Sequence, residues 1–204
     1  MADQGDPKDL DERTKVFVAS AKSRDVVAIA QSFPDGGGYE LKGSGVPEDV
    51  SFGSTTILGK GKSTYCSGFT FAVVMKAASE RGLLKKKSLE QIRSFQKEWY
   101  GASKDSKETQ CAYAVEKLGI GKQIEFKNAR RGDFLQLWRT TKSGHSVVFL
   151  EWVKVGGSPI GVKYRSSQPA TKGIGDNIEY FSNVTGHKGT VDPKRMYFCR
   201  LNAK

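Results

Sequence analysis

Apolar and polar positions change rhythm about two thirds of the way along the chain. Up to about residue 120 the apolar side chains recur at helical spacing, and from Asp133 onward they fall into short blocks of strand character. The first pattern predicts a helix over 10–32, with an acidic first turn and Val16, Ala19, Val26, Val27 and Ile29 as its apolar positions. Phe33-Pro34-Asp35-Gly36-Gly37-Gly38 stops it. Residues 36–64 are rich in Gly, Ser and Thr, which predicts a long ordered loop without regular elements, and loops of that length are often functional. The segment 66–81 carries two apolar stripes, Phe69, Ala72, Val73 and Ala77 on one and Phe71, Val74, Met75 and Ala78 on the other. A helix apolar on most sides belongs in the middle of a domain. Further helices are predicted over 88–100, with Leu89, Ile92, Phe95 and Trp99 in phase, and over 107–118, ended by Gly119 and Gly121. Strands follow over 134–139, 146–153, 161–167, 178–184 and 196–201. Helices before strands imply an α+β domain in which a mainly antiparallel sheet packs on the central helix.

A length of 204 residues suits one domain, read here as an acidic tail over 1–9 and a single domain over 10–204. No apolar run reaches the roughly 18 residues of a spanning helix, and Met1–Asp6 has neither the basic nor the apolar region of a secretory signal. Of 33 basic and 22 acidic residues, only 6 basic but 10 acidic ones lie in residues 1–50, so the remainder is strongly basic. Such a body attracts anionic polymers without choosing among nucleic acid, wall polymer and membrane surface. A nucleic-acid partner is disfavoured, since neither an aromatic-basic RNA-binding motif nor a basic recognition helix is present.

Little of the composition points to a metal or cofactor. The 3 cysteines are too scattered for a disulfide framework or a Cys-rich zinc site, and 2 histidines leave few other ligands. Gly61-Lys62-Ser63 resembles the end of a phosphate-binding loop, but Thr56 stands where that loop needs Gly. Cys66 is different, because a Gly- and Ser-rich loop leads into the buried helix at this residue. A thiol at a helix N-terminus is favoured as thiolate, and the free N–H groups there can steady an oxyanion. The plainer reading is a small core cysteine, so catalysis requires a base. His145, after Ser143-Gly144 at the head of the apolar strand Val147-Val148-Phe149-Leu150, is the candidate. If 155–160 form the hairpin loop, Val147 faces Gln168 and Phe149 faces Ser166. His145, Gln168 and Ser166 then share one face while Ser167 points away. Gln168 is the first choice to orient the imidazole through its carbonyl oxygen, with Ser166 in reserve.

Four landmarks in this order resemble the NlpC-type papain-like cysteine peptidases and amidases of bacterial cell walls, and the related CHAP amidases. Gly38-Tyr39-Glu40-Leu41-Lys42-Gly43 is similar to the loop before the nucleophile, and Cys66-Ser67-Gly68-Phe69 to the nucleophile motif. Gly132-Asp133-Phe134-Leu135 is similar to the strand before the histidine, and Gly144-His145-Ser146-Val147-Val148 to the histidine strand. The resemblance runs from the first helix to about Gln168. It implies a papain-like fold, Cys66 as nucleophile, His145 as general base and Gln168 as orienting group. Tyr39, Tyr65, Ser67 and Ser166 would lie near the substrate. Where the family carries an Asp before the nucleophile, this chain has Tyr65. The implied activity is hydrolysis of an amide bond in a peptidoglycan-type peptide, outside the cytoplasm and without a cofactor. An inactive module that grips anionic polymers and an acyltransferase on the same fold are the alternatives.

Overall fold

The computed structural model describes residues 25–203, so the acidic tail and the expected helix over 10–24 lie outside the described residues. Among the described residues four helices precede most of a seven-stranded, antiparallel sheet, giving the α+β class. The helices are α1 (Val26–Ser32), α2 (Cys66–Glu80), α3 (Leu89–Trp99) and α4 (Cys111–Leu118). The large sheet runs in the order β1-β8-β7-β6-β5-β9-β4. Its strands are β1 (Gly36–Gly37), β4 (Gly121–Ile124), β5 (Phe134–Arg139), β6 (Gly144–Val155), β7 (Ser158–Gln168), β8 (Gly173–Tyr180) and β9 (Val191–Leu201). A separate hairpin pairs β2 (Val50–Phe52) with β3 (Thr55–Leu58).

Several boundaries differ from the sequence pattern for local reasons. Asp25 is extended and its carboxylate accepts from the Val27 N–H at 2.7 Å, so it caps α1 and the helix does not run through it. The 36–64 segment is not a plain loop: Gly53, at φ +58°, closes the β2–β3 hairpin, and Gly36–Gly37 pair with β8. Gln110 has φ +40°, so α4 starts at Cys111 rather than 107. Gly121 opens β4 instead of ending a helix, and a side chain there would overlap the Arg200 carbonyl of β9. By contrast α2 begins where the pattern puts it, and Ser88 and Gln91 close a reciprocal capping box on α3.

The sheet has two apolar faces. One packs Phe134, Val148, Leu150 and Cys199 against α2, whose Phe69, Phe71, Val73 and Val74 are fully buried. The other gathers Leu135, Leu137, Val147, Phe149, Tyr164 and Phe198 into a second core under Trp152 and Phe126. Gly156-Gly157, at φ +55° and +83°, make a two-residue turn between Val155 and Ser158, where the sequence reading had a six-residue loop. Phe149 therefore faces Tyr164 rather than Ser166, a slip of two. A slip of two preserves the face, so alternation still puts Gln168 and Ser166 with His145, and Ser167 opposite.

Arg165 of β7 ties the layers together from a buried position. Its guanidinium donates to the carbonyls of Ala30 at 3.0 Å and Phe33 at 2.9 Å, and pairs with Asp35 and Asp176. The two carbonyls end α1 and would otherwise lack partners. Arg165→Met is expected to cost about 3 kcal/mol in urea unfolding, because it strands buried acceptors. Asp35→Asn, at an exposed partner, should cost under about 1 kcal/mol. Equal losses in the two variants would contradict this division.

Candidate active site

The β6–β7 ladder runs from Val155–Ser158 to Val148–Arg165, and the strands then continue with different partners. Residues 144–147 of β6 pair with β5, and residues 166–168 of β7 pair with β8. Cys66, at the start of α2, meets β6 there at the Ser146 N–H. Ser166 spans the fork between the two strands by donating to the Ser146 carbonyl at 2.7 Å. On the other face, Ser167 meets Thr64 at 2.7 Å, fixing the segment that leads into Cys66. Thr64 also donates to Gly38 through N–H and hydroxyl, both at 3.1 Å, and Tyr39 bridges to Thr64. Tyr39 and Cys66 are thereby strapped to the same rim.

The approach of loop and helix depends on two glycines. A Cβ at Gly68 would overlap the Gly45 carbonyl, and Gly45, at φ +66°, leaves no room for a Cβ beside the Tyr65 ring. Tyr65 donates to the Gly43 carbonyl at 3.0 Å and packs edge-on against Tyr100. It stands at the N-cap of α2 without a side-chain cap bond, so no side chain takes the helix's first N–H groups there.

Cys66 is half-buried. Burial pushes its thiol up, but the charge of His145, hydrogen bonds from His145 and the Ser146 N–H, and one from Ser67 bring it down to about 7. The Ser67 hydroxyl lies 3.9 Å from the sulfur. His145 is buried, and its Nε2 has no hydrogen-bond partner. The imidazole packs edge-on against Tyr164, with ring centroids 5.3 Å apart. Tyr39 feels both burial and the nearby Cys66, each raising its phenol.

Cys66, His145, Tyr39, Tyr65 and Ser67 thus gather at one site, whereas the two candidates for a third group take other bonds. Ser166 spends its proton on Ser146. Gln168 donates its amide N–H groups to Thr171 at 2.5 Å and to the Gly175 carbonyl at 3.2 Å, and does not bond His145. Its carbonyl oxygen is left buried without a partner, as is His145 Nε2.

The sequence reading missed a polar chain beside the imidazole. Arg139 grips Glu179 through Nε and Nη2, both at 2.6 Å, and Tyr164 donates to the same carboxylate at 2.5 Å. Burial raises the Glu179 carboxyl, and hydrogen bonds from Arg139 and Tyr164 outweigh it and hold the group below its usual range, with His145 adding a further pull. A charged residue at the end of the buried strand 134–139, just before the turn to Gly144-His145, was the available signal.

Among the described residues no group of three His, Cys, Asp or Glu is placed to hold a metal ion, and no helix is long and apolar enough to cross a membrane. Cys111 and Cys199 are buried free thiols, and burial, then contact with Cys111, raises Cys199. A groove of about 500 Å³ between Gly36-Gly37, Pro47 and Lys60–Thr64 opens beside the rim that carries Cys66. The chain matches no protein-family model, no curated protein and no solved structure.

Iodoacetamide should modify Cys66 ahead of Cys111 and Cys199, with a rate midpoint near pH 7. His145→Ala should move that midpoint up to the ordinary thiol range or beyond, since burial is then opposed only by Ser146 and Ser67. Equal reactivity of the three thiols, or a midpoint indifferent to His145, would contradict the geometry.

Proposed function

We propose that the chain is a papain-like cysteine hydrolase that cleaves an amide bond in a peptide, of the peptidoglycan type, through an acyl-enzyme on Cys66. What supports the reading is one arrangement: a thiol of lowered pKa at an uncapped helix N-terminus, beside the His145 imidazole and the Ser146 N–H. His145 takes the proton from Cys66 and leaves a thiolate. The thiolate attacks the scissile carbonyl, and the first N–H groups of α2 and the Tyr39 hydroxyl receive the oxyanion. The imidazolium then protonates the leaving amine as the C–N bond breaks, leaving a thioester. Water, deprotonated by His145, releases the carboxylic acid and restores the thiol.

Gln168 is the orienting group in this proposal. Its carbonyl oxygen and His145 Nε2 are a buried acceptor and a buried donor without partners, on one face of adjoining strands. Hydrogen bonds of this kind are often loose before substrate closes the site. The basic body of the chain favours an anionic wall polymer as the carrier of the peptide.

Incubation with a digest of wall peptides should release new amino termini, with a Cys66 acyl adduct visible by mass spectrometry. Cys66→Ala should abolish both signals, and His145→Ala should slow release by at least about 100-fold. Undiminished release by Cys66→Ala would defeat the proposal. Gln168→Ala should keep iodoacetamide labelling at Cys66 and lose turnover, whereas Ser167→Ala, on the other face, should keep its turnover. A reversed pattern would move the orienting role off Gln168.

A further inference from the structure

Arg139 and Glu179 sit on β5 and β8, with β6 and β7 between them. Three strand spacings of a flat sheet would separate their backbones by about 14 Å, yet the side chains meet in a two-pronged ion pair at 2.6 Å. They do so on one face. Leu137 pairs with His145, and Arg139 follows Leu137 by two. Glu179 pairs with Val162, which precedes Tyr164 by two. The pair therefore reaches past the Tyr164 ring and the His145 imidazole that rests on it.

The geometry of the pair leaves one edge of the guanidinium unspent. Glu179 takes the edge formed by Nε and Nη2, and Tyr164 and Asn177 complete the anchor, Asn177 donating to the Tyr164 hydroxyl at 3.1 Å. Nη1 has only the Ser143 hydroxyl, at 3.4 Å, and the side chain remains 21% exposed. A guanidinium held in plane on one edge and open on the other suits a second, planar anion. Its neighbours lie in the candidate active site. Arg139 opposes the upward push that burial and Cys66 exert on the Tyr39 phenol. Burial lowers Arg139 itself, and Glu179 reverses this, with smaller support from Tyr164 and Cys66. Arg139 and Glu179 cancel in charge, and Cys66 and His145 together hold the one thiol proton, so these four groups are neutral together and do not repel an arriving carboxylate.

Building on the cysteine-hydrolase reading, we propose that Arg139 is a specificity-determining residue that receives a carboxylate of the substrate beside the scissile bond, through the guanidinium edge that Glu179 leaves free. The preferred substrates are then peptides with a free carboxylate next to the amide that is cut, over the same peptides with that group amidated.

The test uses two alkylating agents of nearly equal size, iodoacetate and iodoacetamide. In each, the Cys66 thiolate displaces iodide and forms one S–C bond, and only iodoacetate carries a carboxylate. Taking the ratio of the two rates within each protein cancels changes in thiolate population. Arg139→Gln is expected to lower the iodoacetate-to-iodoacetamide ratio at Cys66 about tenfold. The double variant Arg139→Gln with Glu179→Gln, which leaves no stranded carboxylate, should lower it similarly. Arg139→Lys should fall between, keeping the charge and losing the fork. In the unaltered protein, acetate should protect Cys66 from iodoacetate where equimolar acetamide does not, a readout independent of how the variants fold. A ratio unmoved by both glutamine variants, or equal protection by acetate and acetamide, overturns the role of Arg139. A failure of the hydrolase reading shows separately, as wild-type iodoacetamide labelling at Cys66 no faster than at a free thiol.

Discussion

Adjacent antiparallel strands normally stay paired, because each unpaired backbone group buried between them costs free energy. Here the β6–β7 ladder ends at Val148 and Arg165, and beyond it Cys66, at the start of α2, meets the Ser146 N–H of β6. Ser146 is the hinge of that arrangement. Its carbonyl is satisfied by Ser166 and its N–H by the Cys66 sulfur, so a thiol completes a hydrogen-bond account that a strand would otherwise have closed. The same divergence brings His145 to Cys66 and lets Thr64 and Ser167 fasten the approach from the other face. Moving the helix by a fraction of a turn would leave Ser146 unpaired as well as separating the dyad.

The closeness of loop and helix follows from the absence of side chains at Gly45 and Gly68, and the polar balance follows from groups further out. Burial alone would keep Cys66 protonated. The shift to about 7 requires that His145, Ser146 and Ser67 together outweigh desolvation. On the far side of the imidazole, Tyr164 links the ring to Glu179, which Arg139 neutralises. A buried carboxylate without that partner would carry a large desolvation cost.

Much of this was legible in the sequence because it is local. The doubled apolar stripe of 66–81 defines a helix buried on most sides, and the Gly-rich approach defines its start, so Cys66 at the N-terminus needed no long-range information. The face shared by His145, Gln168 and Ser166 followed from strand alternation and survived a register error of two, since period-two patterns are blind to even slips. What was not legible depended on distant pairing. The sequence around Gly121 resembles a helix stop, and only the approach of Arg200 from β9 makes it a strand. The Arg139–Glu179 pair joins strands separated by two others, so its register is set by the curl of the sheet. Gln168 was read as bonded to His145, while its amide is held by Thr171 and Gly175, contacts that arise only once the chain turns into β8.

The central claim is that the Cys66 thiol and the His145 imidazole are in direct contact in the β6–β7 fork, so that ionisation of the thiol is felt at the ring. The most direct measurement is the ¹⁵N chemical shift of the two His145 ring nitrogens, followed by NMR across the pH range in which Cys66 ionises. The account expects the ring shifts to respond to the ionisation of Cys66, near pH 7, and that response to vanish in Cys66→Ala. Ring shifts that are the same with and without the Cys66 thiol, while the thiol ionises in the ordinary range near 8.5, would contradict it.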